Sequence, residues 1–175
     1  MIYVISDQHY FHDKEFIYKS RGFSSVAEMN KTLAENHNNT ISAEDTVYFL
    51  GDEMLGEITQ DKLIFLKSLK GKKYLAIGNH TTDKKIQAYL DNNIFEDIQY
   101  GYRIKYRKKT FLLTHYPTIV TNTTHDRVYN IHGHTHSIDM FNNDMPFNIN
   151  VSVDALPDYK PISLEELYEK SRLNK

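Results

Sequence analysis

"DTVYFLGD", Asp45 to Asp52, decides how this chain is read. Its middle is a short apolar run with β-branched and aromatic residues, the pattern of a buried strand. It ends on a glycine followed by an acid. Two other stretches share the design. "IYVISDQH" (Ile2 to His9) is an apolar run that ends in Asp7 and His9. "KKYLAIGNH" (Lys72 to His80) ends in Gly78, Asn79 and His80. Between the first two strands Val26, Met29, Leu33 and Ala34 recur on one helical face, and Ser25 with Glu28 reads as a capping box at its start. Leu63, Ile64, Leu66 and Leu69 mark a second helix, and Asp83 to Leu90 a third. This β-α-β-α-β order predicts parallel strands joined by crossovers.

The second half changes character. "IQYGYRIKY" (Ile98 to Tyr106) and "TFLLTHYP" (Thr110 to Pro117) read as neighbouring strands of a meander. "RVYNIHG" and "FNINVSVD" read as two more. Ser163 and Glu166 form another capping box, opening a last helix. There is no repeat, low-complexity tract or linker, so one α/β domain is expected over residues 1–175, with sheet in the middle and helices outside.

Composition narrows the function. A chain of 175 residues with 40% hydrophobic content can bury a real core. A formal net charge of -2 gives no support for wrapping nucleic acid or lying on a membrane. No apolar run approaches the roughly 20 residues that span a bilayer. The start, "MIYVISD", is too short and uncharged for a signal peptide. With no cysteine, disulfides and thiolate metal sites are excluded, so any metal is held by nitrogen and oxygen. These features are compatible with a cytoplasmic protein.

The polar residues fall at the strand ends. Asp7 and His9, Asp52, Asn79 and His80, His115, and "HGHTH" with His134 and His136 each follow an apolar strand. Ligands of open α/β sheets bind outside the carboxyl ends of strands, so these groups converge on one edge. The glycines at 51, 78 and 133 permit sharp turns and close backbone approach. Mixed imidazole and carboxylate sets suit Mn, Fe, Ni or Zn. The candidates exceed the needs of one ion; a pair of ions sharing a carboxylate would use them all, as in sites that clamp the oxygens of a phosphoryl transfer. "HGHTH" alone would fit a surface turn or a structural zinc site. The ordered set of five motifs is far harder to obtain by accident.

At this point the sequence resembles the calcineurin-like metallophosphoesterases, through Asp7 and His9, Gly51-Asp52, Gly78-Asn79-His80, His115, and Gly133-His134-Thr135-His136. The resemblance covers residues 1 to about 155. "DTVYFLGD" and "NVSVDALPDYKPISLEEL" are also similar to a small uncapped branch of such phosphoesterases common in bacteria and phages. The resemblance implies a four-layer α-β-β-α sandwich of two facing mixed sheets flanked by helices. It implies two divalent metal ions, with manganese favoured in vitro. The first is held by Asp7, His9 and His136, and the second by Asn79, His115 and His134, with Asp52 bridging both. It also implies that His80 contacts the substrate phosphate and protonates the leaving oxygen while a metal-bridging hydroxide attacks phosphorus.

One position departs from the family pattern. The residue after Gly-Asn-His is usually Asp or Glu, which orients the histidine; here it is Thr81, and Asp83 is the first substitute. His12 is read as a substrate contact, an outer partner of the ligands or a surface loop residue. His132 is read as an outer or structural partner rather than a ligand. His125 lies in a polar stretch that would overhang the site, and His37 is expected on a solvated helix face. The tyrosines are expected to pack and pair across strands rather than stack on bases. Lys105, Arg107, Lys108 and Lys109 read as a solvated hairpin tip. The leading expectation is thus a metal-dependent phosphoesterase with an open site, acting on a phosphodiester or phosphomonoester and favouring a nucleotide-like substrate. The alternative is a catalytically silent scaffold of the same fold that binds protein partners. Oligomeric state is not legible in the sequence.

Overall fold

The three apolar stretches lie side by side. In the computed structural model, which describes residues 1–120 and 128–173, β1 (Ile2–Ile5), β2 (Thr46–Phe49) and β3 (Lys72–Ala76) run parallel. Before β2 come α1 (Glu15–Tyr18) and α2 (Val26–Thr40). Then α3 (Gln60–Ser68) leads into β3, and α4 (Asp83–Asp91) leads into β4 (Asp97–Gln99), which adds in parallel to β3. Further on, β5 (Gly101–Tyr106), β6 (Lys109–Thr114), β7 (Val128–His132) and β8 (Asn148–Asn150) form a second sheet in that order. The chain then returns through β9 (Ile162–Ser163), antiparallel to β1, and ends in α5 (Leu164–Leu173). The first sheet has the order β4-β3-β2-β1-β9.

Alternation along β2 defines the layers. Phe49 points outward, where it stacks on His37 of α2 and meets Phe95 edge-on. Tyr48 points the other way, onto Tyr74 of β3 and Tyr102 of β5. The molecule is therefore two facing mixed sheets flanked by helices, and these tyrosines are packing residues as expected. α5 ties the sheets together, with Tyr168 against Tyr106 and Ser171 accepting a hydrogen bond from Lys109.

Two expectations about the second half need correction. "IQYGYRIKY" is not one strand. It breaks at Tyr100, which is 84% exposed, and its halves belong to different sheets. Among the described residues only β5 and β6 form a hairpin; β7 and β8 add in parallel. The asparagines here hold loops. Asn130 Nδ2 donates to Leu112 O while its Oδ1 accepts from Thr118 N, and Asn150 Nδ2 donates to Ser137 O and Asp139 O.

The helix caps follow the sequence closely. The box at α5 is complete, with Glu166 N donating to Ser163 Oγ and Ser163 N to Glu166 Oε2. At α2, Ser25 Oγ accepts from Glu28 N, but Glu28 reaches back to Ser24 rather than Ser25. The hairpin tip is less solvated than expected. Arg107 pairs with Glu165, and Lys109 is buried over the rings of Tyr129 and Tyr168.

His37 is also misjudged by sequence. It is 1% exposed, and its Nε2 donates to Lys70 O at 2.9 Å. Burial pushes its pKa down to about 4, so it is neutral in the folded protein at pH 7. The unfolded chain, with an ordinary histidine near 6.5, takes up the proton first. The stability contribution is therefore present above pH 6.5 and is lost as pH falls toward 4, by about 3 kcal/mol at most. His37→Leu should flatten this part of the curve in urea unfolding between about pH 7 and 4. The same slope in wild type and variant would contradict a buried neutral ring.

Candidate metal centre

All five motifs arrive at one edge of the two sheets, and three of them do so on strained backbone. Asp7, His9, Asp52, His134 and His136 have φ of 59°, 52°, 54°, 68° and 50°. Non-glycine residues rarely adopt this region, and each costs of order 1–3 kcal/mol. Strands that ran straight on would aim these side chains in alternate directions; the left-handed turns aim them together. Neighbouring glycines make room. A Cβ on Gly133 would collide with Ser6 Oγ and Asp7 Oδ2, and one on Gly78 with Asp52 Oδ1.

The side chains form two groups. In the first, His9 Nε2 and His136 Nε2 face each other at 3.1 Å, with Asp7 Oδ1 3.9 Å from His136 Nε2. In the second, Asn79 Oδ1 lies 2.7 Å from His115 Nε2 and 3.0 Å from His134 Nδ1. Asp52 Oδ2 is 3.5 Å from His115 Nε2. Both sets, Asp7-His9-His136 and Asp7-Asp52-His115, bring one ligand atom from each member within 4.8 Å of the others. By distance Asp7 is the member common to both, whereas the resemblance makes Asp52 the bridge; the two carboxylates lie between the groups.

The electrostatics fit cations. Asp7 Oδ1 is buried with no hydrogen-bonding partner. Burial pushes the Asp7 carboxyl up to about 7, against the pull of His136 and hydrogen bonds from Ser6 and His134. Burial, with His136 and Arg21 nearby, pushes His9 down to about 2. His115 is also lowered, chiefly by burial. A carboxylate that lacks solvation and imidazoles that resist protonation are what a divalent cation requires, since ligands bind it deprotonated. His115 Nδ1 donates to Leu50 O at 2.8 Å, which leaves Nε2 free as a ligand atom.

His80 stands at the rim of the second group. Its backbone N–H donates to Asp52 Oδ1 at 2.9 Å, and its ring Nε2 is 3.8 Å from Asp52 Oδ2. The expected orienting acid is not there. Thr82 caps α4, so Asp83 begins the helix, exposed, with no hydrogen bond to His80. Thr81 is occupied otherwise, its hydroxyl accepting from Gly78 N at 3.1 Å and so bracing the Gly-Asn-His turn. His12 sits beside the first group, its ring 5.5 Å from that of His9 and edge-on to Phe16. His132 is buried, and its Nδ1 is 2.8 Å from Gly133 O; it is in neither ligand group. His125 lies outside the described residues.

Two residues that sequence reasoning missed adjoin the centre. Asp154 Oδ2 accepts from His136 Nδ1 at 2.8 Å, and Arg21 forks onto Asp154. Although burial opposes it, hydrogen bonds from His136 and Arg21 hold Asp154 well below the usual carboxylate range, and the same bond raises His136. Asp154 was findable, as an acid beyond an apolar strand like the others. Nothing in the sequence near Arg21 points to it.

Comparison with known proteins agrees with this geometry. Residues 1–170 match the family described as calcineurin-like phosphoesterase. An uncharacterized protein of Methanocaldococcus jannaschii is 38% identical, covering 98% of this chain and 93% of its own. The Gene 66 protein of Mycobacterium phage L5 is 27% identical over 82% of this chain and 81% of its own. Among solved structures, a protein of unknown function from Aquifex aeolicus superposes with a TM-score of 0.73 at 29% identity, covering 97% of this chain and 98% of that one. Among the described residues no helix is long and apolar enough to cross a membrane. The chain belongs to the calcineurin-like phosphoesterases.

Proposed function

We propose that this member of a family of metal-dependent phosphoesterases hydrolyses a phosphodiester, with nucleotide-like substrates favoured, at a dinuclear centre of Mn, Fe, Ni or Zn. The observation that carries the reading is the pair of ligand groups that share the Asp7 carboxylate and converge on one edge. When bound, divalent ions lower the pKa of water and neutralise charge on the phosphoryl oxygens. The chain supplies the rest. Asp7, His9 and His136 would hold one ion and Asn79, His115 and His134 the other, with Asp52 between. His80, half exposed at the rim, holds a proton for the leaving oxygen.

A cleft of about 400 Å³ opens beside His80, lined by Leu55, Ile58, Thr82 and Lys84 among others. Its size falls within the ~300–1,000 Å³ of small-molecule sites, and it supports a leaving group as large as a nucleoside. A silent scaffold is the second reading. It draws on His80 having no ring hydrogen-bonding partner among the described residues.

One sample tests both readings. Chelation should lower the melting temperature, because metal binds the native state preferentially, and should abolish hydrolysis of bis-nitrophenyl phosphate. Added Mn²⁺ should restore both. Metal binding and stabilisation with no hydrolysis of any diester would favour the scaffold. Full activity after chelation, with metal content measured, would rule out metal catalysis.

A further inference from the structure

We propose that Arg21 and Asp154 are positioning residues that assemble the first ligand group and set its metal affinity, acting on the second group far less and only through the shared Asp7. The proposal rests on the reading of the two groups as metal positions. Arg21 is 6% exposed, in the turn that follows α1. Its fork is bidentate on Asp154, with Nε 2.7 Å from Oδ1 and Nη2 2.9 Å from Oδ2. The remaining donors reach the other side of the centre: Nη2 donates to Asp7 O and Nη1 to Gln8 O, each at 2.8 Å. One guanidinium therefore gathers chain from positions 7–9 and, through Asp154, from position 136.

Each contact has a consequence at the metal position. An ionised Asp154 only accepts, so the 2.8 Å contact puts the proton on His136 Nδ1. The lone pair then sits on Nε2, facing His9 Nε2. A carboxylate behind a ligand histidine also fixes the ring and raises its basicity. On the other side, the carbonyls of Asp7 and Gln8 are taken where the backbone makes its left-handed turns at Asp7 and His9. These turns aim the two side chains, and Arg21 holds their carbonyls in place. The Arg21 carbonyl is itself fixed by the Tyr159 hydroxyl at 2.8 Å. Arg21 makes no hydrogen bond to Asn79, His115 or His134; the second group has its own support in the bond from His115 Nδ1 to Leu50 O. Lysine could keep the charge but not the fork or the two carbonyls together.

The test is titration of metal-free protein with Mn²⁺ alone, followed by calorimetry. Wild type should show two binding steps, one chiefly weakened by His136→Ala and the other by His115→Ala. Arg21→Lys and Asp154→Asn should each weaken the His136 step by ~10–100-fold, the usual loss for an outer partner, with the His115 step shifted far less. Asp154→Asn should add nothing in a His136→Ala background, because its effect passes through that ring. Melting of the metal-free variants checks folding, and if Arg21→Lys does not fold, Asp154→Asn and the double variant decide. Equal weakening of both steps would overturn the proposal, as would a further loss in the His136→Ala background. Two unshifted steps in both variants would overturn the positioning role alone. No Mn²⁺ binding by wild type would bring down the metal reading first.

Discussion

Asp52→Asn should lower metal occupancy at both positions and cost more than ~100-fold in diester hydrolysis, beyond the loss typical of an outer partner of a ligand. The carboxylate stands between the groups, 3.5 Å from His115 Nε2 and 3.8 Å from His80 Nε2. Its other oxygen accepts the His80 backbone N–H. Asparagine keeps the shape but removes the charge and turns one acceptor into a donor, so both cations lose neutralisation together. Asp7→Asn is the necessary comparison, because by distance Asp7 belongs to both groups. If Asp52 is the bridge, Asp7→Asn should chiefly empty the position that His136→Ala empties. Elemental analysis and turnover on the same samples decide. An Asp52→Asn protein with two tightly bound metals and near-normal rate would end the dinuclear reading, and loss of both ions from Asp7→Asn alone would move the bridge to Asp7.

His80→Asn should cost ~10²–10⁴-fold when the leaving group is a ribose alkoxide, and far less when it is a nitrophenolate. A nitrophenolate departs without a proton; an alkoxide does not. Metal content should stay unchanged, since His80 lies at the rim and is in neither ligand group. Equal losses on both esters would mean that the ring binds phosphate and does not act as an acid. The structure sharpens the companion prediction. Asp83 begins α4 in solvent, so Asp83→Asn should be silent on both esters. Loss of the poor-leaving-group rate alone in that variant would mean that Asp83 orients His80 after all.

The sequence by itself determined the three parallel strands at the centre of the first sheet, the helix starts, the residues offered as ligands and the family. These are local facts: an apolar run, a cap, a polar residue just past a strand end. The tertiary structure decided what depends on distant chain. The break at Tyr100 exists because two sheets compete for one extended segment, and the pattern within that segment suits either. His37 and Lys109 are buried because Phe49, Tyr129 and Tyr168 arrive from elsewhere. The left-handed turns at Asp7, His9, Asp52, His134 and His136 are affordable only where the packed strand ends enforce them. Arg21 meets Asp154 across 133 positions of chain. No periodicity records a contact at that separation; it forms because the chain just past β8 meets the chain just past β1, where Ser6 pairs with Ser152 and brings the end of one sheet to the end of the other.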